Sequence, residues 1–471
     1  MESIKQVIDE SLHIGAPILE DNSIEHLYYT QILPTNQASL QTNSGDIRFQ
    51  VNQSDQFLLP HKSYIRLTGR VTKQDGSAIT AVDEDGDGNL GSGEIEGAPV
   101  HNCWSQLFTE VKYYMGGQTI ETNDYFDTTN TIYRNLISTN SSNNYSLEQG
   151  AFSLDTTTGS VDGGYDKEND LPIANNVGWE TRRQFFTRFD GPNRGSFSFQ
   201  IPLEDFLGFA RDHKQCIFGL SHELVLTRKS LADATLDFLH FRSDPTVPAN
   251  KFTPKVVLEH ASWHVPIARP SLAVQEKLNQ MILNKTEYPI AFRALTSSSY
   301  TVPSAGILNW NAASTMTGTE SPLYAIIAFK RASRQSSYTD SPAIFDDLDA
   351  KDVSIYINGT RVPQEARHYI GDKLDFTQAY SEMQEFKHKY LGLDAGHTTP
   401  IDIFEYKNLN MFYVIDLNHT SEIRRGSVAN IRVSATFGPG VPQGYNAYLL
   451  LITKKILTLR SNGDRFTIIQ G

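Results

Sequence analysis

The sequence predicts an all-β chain of two successive sandwich-type domains, with a few short helices and long loop insertions. Three observations carry this. Apolar and polar residues alternate at period two in run after run. Gly, Asn and Pro turn residues punctuate the runs. A Pro-rich break from Ser243 to Asn250 divides the 471 residues into two strand-rich halves of similar length. The abundance of Phe and Tyr, 25 and 21, favours strands.

Taken in order, Ile47, Phe49 and Val51 open the pattern, and Ile65, Leu67, Gly69 and Val71 share one face of the next run. Val111, Tyr113 and Met115 lead into a Gly116-Gly117 turn, and Phe197, Phe199 and Ile201 alternate again. Cys216 to Leu226 reads as one further extended run. After the break come Val256, Leu258, Trp263 and Val265, then Tyr324 to Phe329. Val353, Ile355 and Ile357 run into an Asn358-Gly359 hairpin turn. Met411 to Leu417, Ile431 to Phe437 and Tyr448 to Leu459 complete the set. Three segments have helical spacing: 129–138, 272–283 and 380–390, each with an apolar stripe expected to face a core. The expected division is an N-terminal arm over 1–25, a first domain over 26–245 and a second over 255–471. The arm is acidic but spaces Ile4, Val7, Ile8, Leu12 and Ile14 so that part of it can form an amphipathic helix.

The most specific local motif lies in the polar insertion between residues 74 and 100. Asp83 to Glu94 reads D-x-D-x-D-G-x-L-x-x-x-E, the spacing of an EF-hand calcium loop. Asp83, Asp85, Asp87 and Glu94 supply carboxylates, Asn89 a backbone carbonyl, and Gly88 the sharp turn. Gly91 at the ninth position leaves room for a water. Thr80-Ala81-Val82 and Gly97-Ala98-Pro99 fit no flanking helices. The expectation is one structural Ca²⁺ held as a static clamp between strands.

Catalytic signatures are missing. There is no G-x-S-x-G, P-loop or H-E-x-x-H. The 13 histidines show no ligand spacing; His260 and His264 sit in a β-type segment and read as structural. A net charge of −13 argues against coating nucleic acid, and the short basic pairs Arg182-Arg183 and Arg424-Arg425 read as solvated surface or contact residues. Cys103 and Cys216 make no disulfide framework and read as reduced, buried thiols. Met1 to Glu20 has no apolar leader core, and no apolar run is long enough to cross a bilayer. The chain is therefore expected to be made inside a cell and to be no enzyme.

The run Val100-His101-Asn102-Cys103-Trp104-Ser105-Gln106-Leu107-Phe108-Thr109-Glu110-Val111, continuing to Gln118, resembles a segment of double jelly-roll major capsid proteins. The likeness is to those of Polinton/Maverick elements, adintoviruses and the adenovirus-like lineage of DNA viruses. His101, Cys103-Trp104 and the Gly116-Gly117 turn depart from that pattern. Residues 47–51, 63–71, 258–267, 353–359, 412–417 and 424–459 echo other strands of the family in the same order. The resemblance implies two eight-stranded jelly rolls side by side. It also implies homotrimers with a pseudo-hexagonal footprint that tile an icosahedral shell around a DNA genome, contacting neighbouring capsomers, penton and minor capsid proteins. A calcium-dependent, lectin-like carbohydrate-binding protein is the alternative, disfavoured by the missing leader and disulfides. A cupin-type metalloenzyme lacks the His and carboxylate cluster.

Overall fold

A computed structural model describes residues 23–36, 40, 45–52, 56–78, 97–139, 147–156, 165–166, 171–172, 176–189, 191–241, 254–284, 287–304, 306–316, 320–337, 340–365, 369–370, 373–374, 376–393, 400–418, 429–438, 443–461 and 466–470. In the first half the main elements are β1 (Ile24–Ile32), β2 (Ile47–Val51), β3 (Phe57–Leu58), β4 (Tyr64–Lys73), β5 (Phe108–Met115), β6 (Gln118–Asp124) and α1 (Phe126–Ile137). Then follow α2 (Val177–Phe186), β7 (Ser196–Pro202), α3 (Gly208–Asp212), β8 (Ile217–Phe218), β9 (His222–Arg228), α4 (Leu231–Phe238) and β10 (Pro254–Pro270). After the connecting helix α5 (Leu272–Leu283) come β11 (Glu287–Thr301), β12 (Ile307–Met316), β13 (Ser321–Arg331), β14 (Ala350–Ile357) and β15 (Thr360–Val362). The chain ends with α6 (Phe376–Leu391), α7 (Ile403–Leu409), β16 (Phe412–Asp416), β17 (Ala429–Phe437), β18 (Tyr445–Ser461) and β19 (Phe466–Gln470).

These strands form two pairs of antiparallel sheets. In the first pair, the order β7-β4-β10-β3-β8, with β1 added along β10, accompanies β2-β9-β5-β6. In the second, β11-β18-β13-β16, with β19 on β18, accompanies β12-β17-β14-β15. Each pair encloses an apolar core, as period-two patterning requires, and strands of the second pair also reach into the first core. Burial in β2 alternates strictly, with Ile47, Phe49 and Val51 inside and Arg48 and Gln50 outside. The two predicted two-residue hairpins form at Gly116-Gly117 and Asn358-Gly359. All four residues have positive φ, the geometry that matches strand twist.

Three sequence expectations change, and one strand has no sequence signature. The second unit does not start at residue 255. Pro254 to His264 of β10 pair with Lys73 to Tyr64 of β4, so β10 belongs to the first sheet system. The Pro-rich break marks a connection, and strand alternation does not say which strand will be the partner. The two units are also interlocked, because Ile290 and Phe292 of β11 and Leu457 and Leu459 of β18 pack in the first core. Cys216 to Leu226 is not one strand: Gly219, at φ 77°, turns the chain so that β8 and β9 lie in different sheets. Among the three helical segments, α1 and α6 are core-facing as expected, but only Ile282 of α5 is buried. Finally, β1 has no signature in the sequence. Its residues, IEHLYYTQI, do not alternate, and most of the strand is exposed although every ladder bond goes to β10.

Candidate functional site

The feature that organises the molecule is the seam where the two sheet pairs meet, and α1 is its axis. Tyr125, in the left-handed region at φ 51°, turns the chain out of β6 into the helix. Phe126 packs in the first core, while Ile132, Tyr133 and Leu136 pack in the second. A helix shared by two cores cannot be polar on any solvent side, so its polar residues must find partners inside.

Those partners come from the run His101 to Gln106. Asn102, held at φ 56°, donates through Nδ2 to Ser105 Oγ at 3.1 Å and to Asn130 Oδ1 at 3.0 Å. Gln106 donates to the Asp127 carbonyl at 3.1 Å. His101 Nε2 donates to Asn135 Oδ1 at 2.6 Å, and Asn135 passes the chain on to Asn410 Oδ1 at 2.9 Å. Burial lowers the His101 pKa to about 4, keeping the ring neutral in this network. Trp104, fully buried, packs edge-on against Phe126 and Phe206.

Charges complete the seam. Lys229, at the end of β9, lies 2.5 Å from Asp127 and 2.8 Å from Asp237. Burial disfavours its charge, yet the two carboxylates raise its pKa to about 12. Asp237 also accepts from the Ser336 N–H at 2.7 Å, and Lys330 of β13 donates to Thr128 Oγ1 at 2.6 Å. Burial brings Lys330 down to about 8. Glu121 is buried and accepts three backbone N–H bonds, from Gly208 and Phe209 of α3 and from Leu295 of β11. Desolvation raises its pKa to about 7 against those donors. Arg293 donates to both oxygens of Asp212, at 2.8 and 2.5 Å, and to the Tyr390 carbonyl at 2.6 Å. Gly208 permits this closeness, since a Cβ there would sit 1.7 Å from the Arg293 carbonyl.

Asp83, Asp85, Asp87, Asn89 and Glu94 all lie outside the described residues. Among the described residues, no cluster of three or more His, Cys, Asp or Glu side chains is placed to hold a metal ion, and no helix is long and apolar enough to cross a membrane. His260 pairs with Gln31 at 3.2 Å, and His264 stacks on Tyr64 and bonds Ser262. Of the two readings open for Arg182, solvated surface or contact residue, the structure gives the second. Arg182 is fully buried, 2.5 Å from Asp155, and donates to the Pro99 and Ser153 carbonyls. Its neighbour Arg183 keeps the surface role, paired with Glu180. Cys103 is buried as expected, but Cys216 is exposed. The seam itself escaped sequence reasoning apart from one signal: polar residues crowded among apolar ones in 101–106 and 126–135.

Two interlocked antiparallel sandwiches, clamped by a buried polar and charged seam, define a double-sandwich protein in which one body is made of two similar units. The chain belongs to the double jelly roll-like domain family, whose sequence profile matches residues 167–457. No curated protein matches it by sequence. Among solved structures, a chain of the Sputnik virophage cryo-EM structure is similar at 11% identity and TM-score 0.60, covering 99% of this chain and 93% of that one. The Faustovirus major capsid protein is similar at 10% identity and TM-score 0.55, with 96% and 94% covered. A chain of the PBCV-1 virus capsid is similar at 9% identity and TM-score 0.52, with 97% and 99% covered.

Proposed function

We propose that the chain is a major capsid protein, a structural subunit without a catalytic role. It assembles as homotrimers that tile an icosahedral shell around a DNA genome. The observation that carries this reading is the pairing of two jelly rolls into one interlocked unit. Three such units place six similar rolls in a ring, an outline that tiles a surface as hexagons do. The likeness to capsid chains over almost the whole length of both partners supports it. So does β1, whose Ile24, Leu27, Tyr28 and Tyr29 are each nearly half exposed, apolar surface that an isolated monomer has little reason to keep. In this reading the protein resides in the virion after synthesis inside the host cell, and its remaining edges meet neighbouring trimers, penton and minor capsid proteins. Its net charge of −13 suits a shell that does not grip the genome.

Sedimentation velocity and negative-stain imaging test this. The expected species is a trimer of the 52.8 kDa chain or closed shells, with contacts burying more than roughly 2,000 Å² per pair. Monomer alone at micromolar concentration rejects the reading.

Asp83, Asp85, Asp87, Asn89 and Glu94 are proposed to hold one structural Ca²⁺ that neutralises part of an acidic loop. Calorimetry should give a calcium heat and a calcium-dependent rise in Tm, both lost in Asp83→Ala/Glu94→Ala. Wild-type protein without either response leaves the loop a plain acidic insertion.

A further inference from the structure

A cleft of about 380 Å³ opens where the C-terminal half of α5 meets both sheet systems. Two aromatic pairs line it. Phe57 and Phe218, from β3 and β8, stack with ring centroids 4.6 Å apart. Tyr288 and Phe466, near the starts of β11 and β19, pack edge to face at 5.8 Å. Leu278 of α5 and Leu459 of β18 also line it, and among the described residues no Asp or Glu does. A concave, mainly apolar site of roughly 300–1,000 Å³ with a few polar groups is the usual form of a small-ligand site.

The polar lining comes chiefly from one short stretch, His213, Gln215 and Cys216. His213 is only 8% exposed, and no group of the protein bonds its Nε2. Its ring is held in place by stacking on Phe209, with centroids 5.3 Å apart. A buried ring nitrogen without a partner is uncommon, and a bound polar group would supply one. The surroundings favour an anion there. Burial and the nearby Lys214 and Lys62 lower the neighbouring His61 to about 4 against the opposing pull of Glu204, and charge on His213 acts in the same direction as the lysines. An acid group at this end would relieve that excess of cations. At about 30 Å³ for a group the size of a water molecule, the cleft holds about a dozen such groups. That is room for one short chain and not for a two-chain lipid. We propose that the cleft binds one medium-chain carboxylic acid, its chain between the two aromatic pairs and its carboxylate at the His213 end, where it accepts from the imidazole N–H. The site needs only a single chain of the protein, so it does not rest on shell formation.

Decanoate, kept below its micelle concentration, tests this on the full-length protein. Calorimetry should show saturable binding of one decanoate per chain. Decanoate should also slow labelling of Cys216 by a thiol reagent at least tenfold, because Cys216 is exposed and lines the cleft. Cys103, fully buried, should stay unlabelled throughout and so certify the fold. Decanol, the same chain without the charge, should bind at least tenfold more weakly, and His213→Phe should shrink that preference to within twofold. Leu278→Asp, on the outward-lying helix, should weaken decanoate binding at least tenfold. Absence of saturable binding, or binding that leaves the Cys216 rate unchanged, overturns the proposal. So does decanol binding as tightly as decanoate, or a Leu278→Asp variant that binds decanoate unchanged. The wild-type comparison of decanoate with decanol decides by itself where a variant fails to fold.

Discussion

Helices α1 and α5 have the same length and both space apolar residues at helical intervals, yet one is buried on almost every side and the other lies on the surface. In α1, Ile132, Tyr133 and Leu136 enter the second core, and its polar positions Asp127, Thr128, Asn130, Arg134 and Asn135 are buried with partners. In α5 only Ile282 is buried, and Gln275, Glu276, Lys277, Asn279 and Gln280 are exposed. Apolar residues at helical spacing are therefore not enough to bury a helix. What differs is the polar face: that of α1 meets complementary groups from two sheet systems, and that of α5 meets water. A buried helix needs both faces satisfied.

The largest expected effect tests the polar half of this contrast. Asp127→Ala leaves Lys229 and Lys330 buried beside too few carboxylates. Stripping one partner from a buried charge cluster costs about 3–5 kcal/mol, and denaturant unfolding should show a loss of that order. A loss under about 1 kcal/mol would mean that water reaches the cluster and that the seam is not what distinguishes α1.

The apolar half is tested by the same deletion on each helix. Leu136→Ala should cost about 2–5 kcal/mol through transfer and cavity terms. Leu272→Ala, at a site 79% exposed, should change stability by no more than about 0.5 kcal/mol. Similar costs at the two sites would show α5 to be covered as thoroughly as α1.

The last test concerns the pH response of the seam. Glu121 has a folded pKa of about 7 against a free value of 4.5, raised by burial. A raised carboxylate contributes its stability in full below about 4.5, and that contribution is lost as pH rises through about 7. Glu121→Gln should flatten this window in a Tm-versus-pH series. An unchanged slope would mean that the three N–H donors hold Glu121 ionised throughout.

Much of the architecture is legible in the residue pattern. Strand faces such as Ile47/Phe49/Val51 and Val353/Ile355/Ile357, the two Gly-containing hairpins and the helix over 272–283 follow from periodicity and turn chemistry. Each depends on residues within a few positions of one another. The candidate site is far less legible. Arg182 stands beside Arg183 in the sequence, yet only Arg182 meets Asp155, 27 positions away, and loses its solvent. The ion pair of Lys229 with Asp127 and the three N–H bonds to Glu121 join elements separated by up to 174 positions. The assignment of β10 to the first sheet has the same origin, because strand alternation records which face is apolar and carries nothing about which strand lies alongside. Local period and backbone sterics set the strands, the turns and the two-unit organisation, so these can be read from the chain alone. Long-range packing sets which apolar stripe is covered, which charges are buried and where the first unit ends, because desolvation depends on groups that sequence distance does not relate.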